Sequence, residues 1–234
     1  MIYVTGDTHG DLERFKSKAI AKQLKKGDFL IVCGDFGFYW NDSKEEKKAR
    51  KWLSKRKYTI LFVEGTHDNL DMIENAPQID WCGGRARKLE NNIFQLCRGF
   101  IFKVDGNFIF AVGGGESIDM EVRDAVGSWW KQEMPTLQEL AEARSRLTEY
   151  RDVVDFVISH DCPAALVKNV ETEEGAVYVN HLNLFFDQIG KECRFKQWYF
   201  GCYHLDKKFP PNHTAIFQNV TALGGTPAKK GFLK

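Results

Sequence analysis

Met1-Ile2-Tyr3-Val4-Thr5-Gly6-Asp7-Thr8-His9-Gly10 opens the chain, and its reading sets the fold class. An apolar run long enough for one strand ends abruptly in Gly-Asp-x-His-Gly. The next apolar run, Phe29-Leu30-Ile31-Val32-Cys33, ends in Gly34-Asp35. A third, Ile60-Leu61-Phe62-Val63, leads to Gly65-Thr66-His67-Asp68. Unbroken apolar strands suit a sheet covered on both faces. Between them lie a helical pattern over 11–25, with Leu12, Phe15, Ala19 and Leu24 on one side, and a second over Lys44–Ser54. A short helix near 69–75 follows, stopped by Pro77. The order β-α-β-α-β-α predicts parallel strands with helices on the sheet faces.

The same strand-end pattern returns twice. Ser159-His160-Asp161 follows the run 153–158, and Gly201-Cys202-Tyr203-His204 follows Gln197-Trp198-Tyr199-Phe200. In α/β proteins ligands collect at the carboxyl ends of strands. Asp and His delivered there, strand after strand, read as a metal centre assembled by the fold. Asp7 and His9 are two apart, so an extended segment points both to one side. The Asp35 carboxylate has two oxygens and is able to bridge two cations. A mixed carboxylate and imidazole set suits Mn, Fe or Zn better than Ca. Two such ions would clamp a phosphate and generate hydroxide for in-line attack on phosphorus.

Between these motifs the character changes. Ile93–Cys97, Phe100–Val104 and Phe108–Val112 read as short strands, the last two joined by the hairpin signal Asp105-Gly106. Gly113 to Trp130 reads as a long irregular loop. Thr136-Leu137-Gln138-Glu139 forms a capping-box sequence that opens a helix to about Arg151. A helix over 181–191 and a strand over Thr214–Val220 complete the reading. No repeat or linker divides the chain, so residues 1–234 are expected to form one domain, with 226–234 a flexible tail.

Bulk properties exclude several function classes. The chain has 234 residues, 43% hydrophobic and 28% charged, as ordinary globular proteins do. Its net charge of +1 gives no electrostatic footprint for nucleic acid or an anionic membrane. No apolar run approaches a membrane span. The six Cys have irregular spacing and no basic-then-apolar leader precedes the first strand, so a cytoplasmic protein with reduced thiols is expected.

The ordered set Asp-x-His, Gly-Asp, Gly-Thr-His-Asp, His, Gly-Cys-x-His resembles the calcineurin-like metallophosphoesterases, from residue 1 to about 220. The resemblance implies a four-layer αββα sandwich, two mixed β-sheets flanked by helices. It implies one or two divalent ions and hydrolysis of phosphate mono- or diesters of a small molecule or nucleotide. It gives Asp7, His9, Asp35 and His204 as the first metal site, with Asp35 bridging to a second site that holds His160. His67 matches the histidine that assists the leaving group, and Asp68 would orient it. Arg123 and Arg98 are candidate phosphate ligands.

Two positions depart from the family pattern, which has Asn at Thr66 and His at Cys202. Both fall on the second metal. Three accounts follow: Cys202 binds as thiolate and favours Zn; only the first metal binds tightly; or hydrolysis is lost and the chain acts by binding metal or a partner. Protein phosphatases of the superfamily carry Arg soon after Gly-Asp. This chain has Phe36-Gly37-Phe38-Tyr39-Trp40, so a phosphoprotein substrate is not supported. That aromatic stretch either faces a nucleobase or packs internally. Oligomeric state is left open by the sequence.

Overall fold

The computed structural model describes residues 1–170 and 178–225. The expected tail at 226–234 lies outside the described residues. The first half forms β1 (Ile2–Thr5), α1 (Leu12–Lys16), α2 (Lys18–Ala21), β2 (Phe29–Cys33), α3 (Lys44–Leu53), β3 (Thr59–Val63) and α4 (Leu70–Glu74). Then come β4 (Gln78–Trp81), β5 (Gly84–Glu90), β6 (Ile93–Leu96), β7 (Phe100–Val104) and β8 (Asn107–Val112). The second half holds α5 (Met120–Ala125), α6 (Leu137–Glu149), β9 (Phe156–Ser159), α7 (Ala164–Val170), α8 (His181–Glu192), β10 (Gln197–Phe200), β11 (Lys207–Phe209), β12 (His213–Ala215) and β13 (Thr221–Ala222).

Two mixed sheets result. One runs β13-β1-β2-β3-β6-β5-β4 and the other β11-β12-β10-β9-β8-β7. Strand alternation splits each strand between two cores. Ile31 and Cys33 of β2, Leu61 and Val63 of β3, Ile109 and Ala111 of β8 and Ile158 of β9 share the core between the sheets. Leu30, Val32, Ile60 and Phe62 face the other way, onto Phe15, Ile20, Leu53, Leu70 and Ile73 of α1–α4. Phe110, Val112, Val157, Trp198 and Phe200 likewise meet Leu140, Leu147, Val167, Leu182, Phe186 and Ile189 of α6–α8. Three stacked cores make four layers, the expected αββα sandwich. The unbroken apolar strands follow, because neither face of a central strand meets water.

Several local readings hold. Asp105 and Gly106, at φ 45° and 79°, turn β7 into β8. Thr136 caps α6, accepting from the Glu139 N–H at 3.2 Å while Glu139 accepts from the Thr136 N–H at 2.8 Å. Thr136→Ala is expected to lower stability by about 1 kcal/mol, read as a lower urea midpoint at unchanged slope.

Others are corrected. The helix expected over 11–25 breaks at Ser17, whose ψ of 156° leaves the helical region and starts α2. Residues 78–90 form a hairpin through Cys82-Gly83, at φ 51° and 91°. The mostly polar strands of that hairpin hide it in the sequence. The stretch 113–130, expected as loop, contains α5. Of the strand expected over Thr214–Val220 only Thr214 and Ala215 are strand, the end of β12 beside β10, and the chain then crosses to β13 beside β1 in the other sheet. The crossover between them is held by the Asp206 carboxylate, which accepts from the N–H groups of Phe217, Gln218 and Asn219.

Candidate metal centre

Every Asp and His singled out at a strand end lies at the carboxyl edge of a parallel strand. Asp7 and His9 follow β1, Asp35 follows β2, His67 follows β3, His160 follows β9, and His204 follows β10. The parallel pairs β1–β2–β3 and β9–β10 put these ends on one side of each sheet. The loops are bent tightly to aim the side chains. His9, Asp35, Cys202 and His204 all have φ between 45° and 64°. Non-glycine residues held there store strain, which clusters at functional sites. Asp7 and Asp35 are buried, 1% and 2% exposed.

The ligand atoms converge in two groups among the described residues, Asp7–His9–His204 and Asp7–Asp35–His160. His9 Nε2 and His204 Nε2 approach to 2.9 Å. His204 Nε2 is 3.4 Å from Asp7 Oδ2. Asp35 faces both groups with separate oxygens. Its Oδ1 is 3.7 Å from His160 Nε2, and its Oδ2 is 3.8 Å from His9 Nε2.

His160 tests whether these residues fit a cation. It is fully buried, and its Nδ1 lies 3.0 Å from the Cys33 carbonyl, so Nδ1 carries the proton and donates. Its Nε2 is buried and has no hydrogen-bond partner. This nitrogen faces Asp35 Oδ1 at 3.7 Å, with the Cys202 thiol beside the ring. Acceptors facing acceptors across under 4 Å need a proton or a cation between them. A backbone carbonyl behind the ring, with the other nitrogen free, is the usual setting of a metal-binding histidine. The group fits the residues present.

The electrostatics show the same convergence. Burial opposes ionisation of Asp35, but His160 and the hydrogen bonds of His67 outweigh it and hold the carboxyl well below its usual range. His160 is raised, since Asp35, Cys202 and Asp7 together overcome burial. His204 is raised by its contact with Asp7, whereas burial pulls His9 down.

His67 sits at the open rim. Its backbone N–H donates to Asp35 Oδ1 at 2.7 Å and its Nδ1 is 3.2 Å from Asp35 Oδ2. Asp68 does not orient it. The buried Asp68 carboxylate instead accepts from the N–H groups of Phe36, Gly37 and Gly65, tying the loops after β2 and β3 together. Three short-range backbone donors outcompete one exposed imidazole for a buried carboxylate. The expectation for Asp68 is corrected accordingly: Asp35 holds the ring.

Cys202 lies outside the two tight ligand groups but its thiol adjoins the His160 ring. Its N–H donates to both Asp7 oxygens, at 3.1 and 3.0 Å, and burial pushes its thiol up to about 11. Thr66 Oγ1 contacts His67 Nδ1 at 3.1 Å. Both arginine candidates are engaged internally. Arg98 Nε donates to buried Glu64 at 2.6 Å, and Arg123 Nη2 donates to the carbonyls of Thr66 and Ser128. Each guanidinium is drawn to acceptors that would otherwise be buried unpaired, and so braces the loops around the centre.

Arg14 escaped the sequence reading. Its guanidinium donates to the carbonyls of Asp7 and Phe217 and to Thr5 Oγ1, bracing the metal-binding turn. Its spacing gave no signal, because position 14 falls off the apolar stripe of Leu12 and Phe15.

No curated protein matches the chain. Among solved structures it is similar to the phosphopantetheinyl hydrolase PptH of Mycobacterium tuberculosis, with 12% identity, a TM-score of 0.48, and coverage of 92% of this chain and 89% of that one. The model of the calcineurin-like phosphoesterase family matches residues 1–209, and the chain therefore belongs to that family.

Proposed function

We propose that the protein is a metal-dependent hydrolase of phosphate mono- or diesters of small molecules or nucleotides. The single observation that supports this most is the orphaned His160 Nε2 facing Asp35. Asp7, His9, Asp35 and His204 would hold one divalent ion, and Asp35 with His160 a second, with Cys202 and Thr66 at its border. Mn, Fe or Zn suits this donor set, and Zn is favoured if Cys202 joins it. A divalent cation supplies charge neutralisation at the phosphoryl oxygens and activation of water. His67 does the rest of the proton work. Its Nδ1 is taken by Asp35, so Nε2 is the atom that carries a proton to the leaving oxygen. The exposure of this ring, 45% of its side chain, gives substrate access to it.

The reading is tested with p-nitrophenyl phosphate and bis-p-nitrophenyl phosphate in Mn²⁺. The native chain is expected to hydrolyse at least one. His67→Ala should cost about 10²–10⁴-fold in kcat, the size of a lost general acid, with metal content unchanged. Hydrolysis indifferent to a chelator would sink the proposal.

Thr66 and Cys202, standing where the family pattern has Asn and His, favour a second reading, a family member with impaired hydrolysis that acts by binding metal or a partner. Thr66→Asn combined with Cys202→His separates the two. Activity that appears only in the double variant supports impairment. Native activity that the double variant merely raises supports the enzyme. A cytoplasmic setting is supported by all six cysteines being free.

A further inference from the structure

The cleft beside the candidate centre has a composition that selects its ligand. It holds about 550 Å³ and is lined by His9 and His67 together with Phe38, Trp40, Leu12 and Ala49. Trp40 departs from the stretch it belongs to. Phe36, Phe38 and Tyr39 are buried in the helix-side core at 0%, 1% and 7% exposure, whereas Trp40 is half-buried and lines the cleft. It is nevertheless held firmly. Its carbonyl accepts from Asn69 Nδ2 at 2.7 Å, and its N–H donates to Glu46. Its ring stands edge-on to Trp130, with centroids 5.3 Å apart, and Trp130 Nε1 donates to Asp71 at 3.0 Å. A large aromatic fixed by its neighbours yet not consumed by the core is preorganised to meet a flat partner.

Charge narrows the ligand further. Among the described residues this cleft is lined by Glu45 and Glu46 and by no Lys or Arg. The cleft on the Cys202 side, about 560 Å³, is likewise lined by carboxylates with no Lys or Arg among the described residues. Arg98 and Arg123 are committed to Glu64 and to backbone carbonyls. A second phosphate or other anion on the substrate would meet Glu45 on this side, where the nearest guanidiniums, Arg50 and Arg123, are already engaged by Glu46 and by backbone carbonyls.

We propose that the cleft beside His67 is the leaving-group subsite, and that Trp40 stacks on a planar, uncharged ester arm. The substrate class is then a single-phosphate ester with an aryl or heteroaryl arm that bears no further phosphate. The proposal rests on the phosphoesterase reading above, since it is the proton on His67 that places the leaving group there.

Binding of phosphonates to the Mn²⁺-loaded full chain tests this without turnover. Calorimetry would compare phenylphosphonate, methylphosphonate and 4-carboxyphenylphosphonate. Phenylphosphonate is expected to bind about 5–100-fold tighter than methylphosphonate, the range of aromatic stacking on a ring. The 4-carboxy group should erase much of that gain. Trp40→Ala should collapse the phenyl-to-methyl ratio towards one with Mn²⁺ stoichiometry unchanged, and Trp40→Phe should retain most of it. Equal affinity for phenyl and methyl in the native chain, or a ratio unmoved in a folded Trp40→Ala, overturns the subsite while leaving the phosphoesterase reading intact. Absence of all phosphonate binding, together with absence of hydrolysis, overturns that reading and the subsite with it.

Discussion

Asp35→Asn is expected to reduce hydrolysis of p-nitrophenyl esters by at least about 10³-fold, the largest single loss in the site. The estimate multiplies two effects. Asp35 turns one oxygen toward His160 and the other toward His9, so both halves of the centre lose a charged donor. Loss even of an outer partner to a ligand costs about 10–100-fold in metal affinity or activity. Asp35 also holds His67 through its backbone N–H and Nδ1. Misplacing a general acid removes a further factor of about 10²–10⁴. A second readout is thermal. A ligand at 100 times its Kd stabilises by about 2.7 kcal/mol, and a chain of this size gains roughly 2–4 °C per kcal/mol. Mn²⁺ should therefore raise the native Tm by about 5–10 °C and leave the variant nearly unmoved. Activity within tenfold of native, or an undiminished Mn²⁺ shift, would show that Asp35 is not shared by the centre.

The second large effect is on stability. Gly34→Ala is expected to destabilise the fold by about 2–6 kcal/mol. Gly34 sits at φ 99°, where an L side chain is strained, at a cost of about 1–3 kcal/mol. The added Cβ would also overlap the buried His160 ring, at Nδ1, Cγ and Cβ. That ring has nowhere to go, because its Nδ1 is hydrogen-bonded to the Cys33 carbonyl. Overpacking of this kind adds about 1–3 kcal/mol. Gly127→Ala is the control. Its φ of 69° carries the conformational cost, but nothing lies within 4 Å of the new Cβ. Denaturant midpoints should fall far more for Gly34 than for Gly127. Equal falls would mean that strain alone, and no close approach of β2 to His160, accounts for the glycine.

Both expectations rest on residues that were visible as motifs, and the reason is physical. A strand buried on both faces must be apolar throughout, so its end is marked sharply when Gly and Asp or His follow. β1, β2 and β3 and the ligands after them were therefore readable in order. The hairpin at Asp105-Gly106 and the capping box at Thr136 were readable for a similar reason, since each is satisfied by neighbours within a few residues. The hairpin β4–β5 was not, because Gln78–Trp81 is short, Gly84–Glu90 is largely charged, and β5 gains its place by pairing with β6. Nor was the break at Ser17, where local periodicity favoured one continuous helix.

The same division runs through the site. Residue type and strand-end position were enough to name Asp7, His9, Asp35, His67, His160 and His204, because coordination chemistry demands those side chains and the α/β layout demands those places. Which neighbour each one meets depended on residues far away in the chain. Asp68 turns to the backbone of Phe36 and Gly37 rather than to His67, and Arg98 and Arg123 are claimed by Glu64 and by buried carbonyls. Of four neighbouring aromatics, three are buried in the core and Trp40 alone is left half-buried at the cleft. Hydrogen-bond competition and burial are settled by long-range packing, which spacing along the chain does not encode; ligand chemistry and strand alternation are local, and those the amino-acid sequence carries unaided.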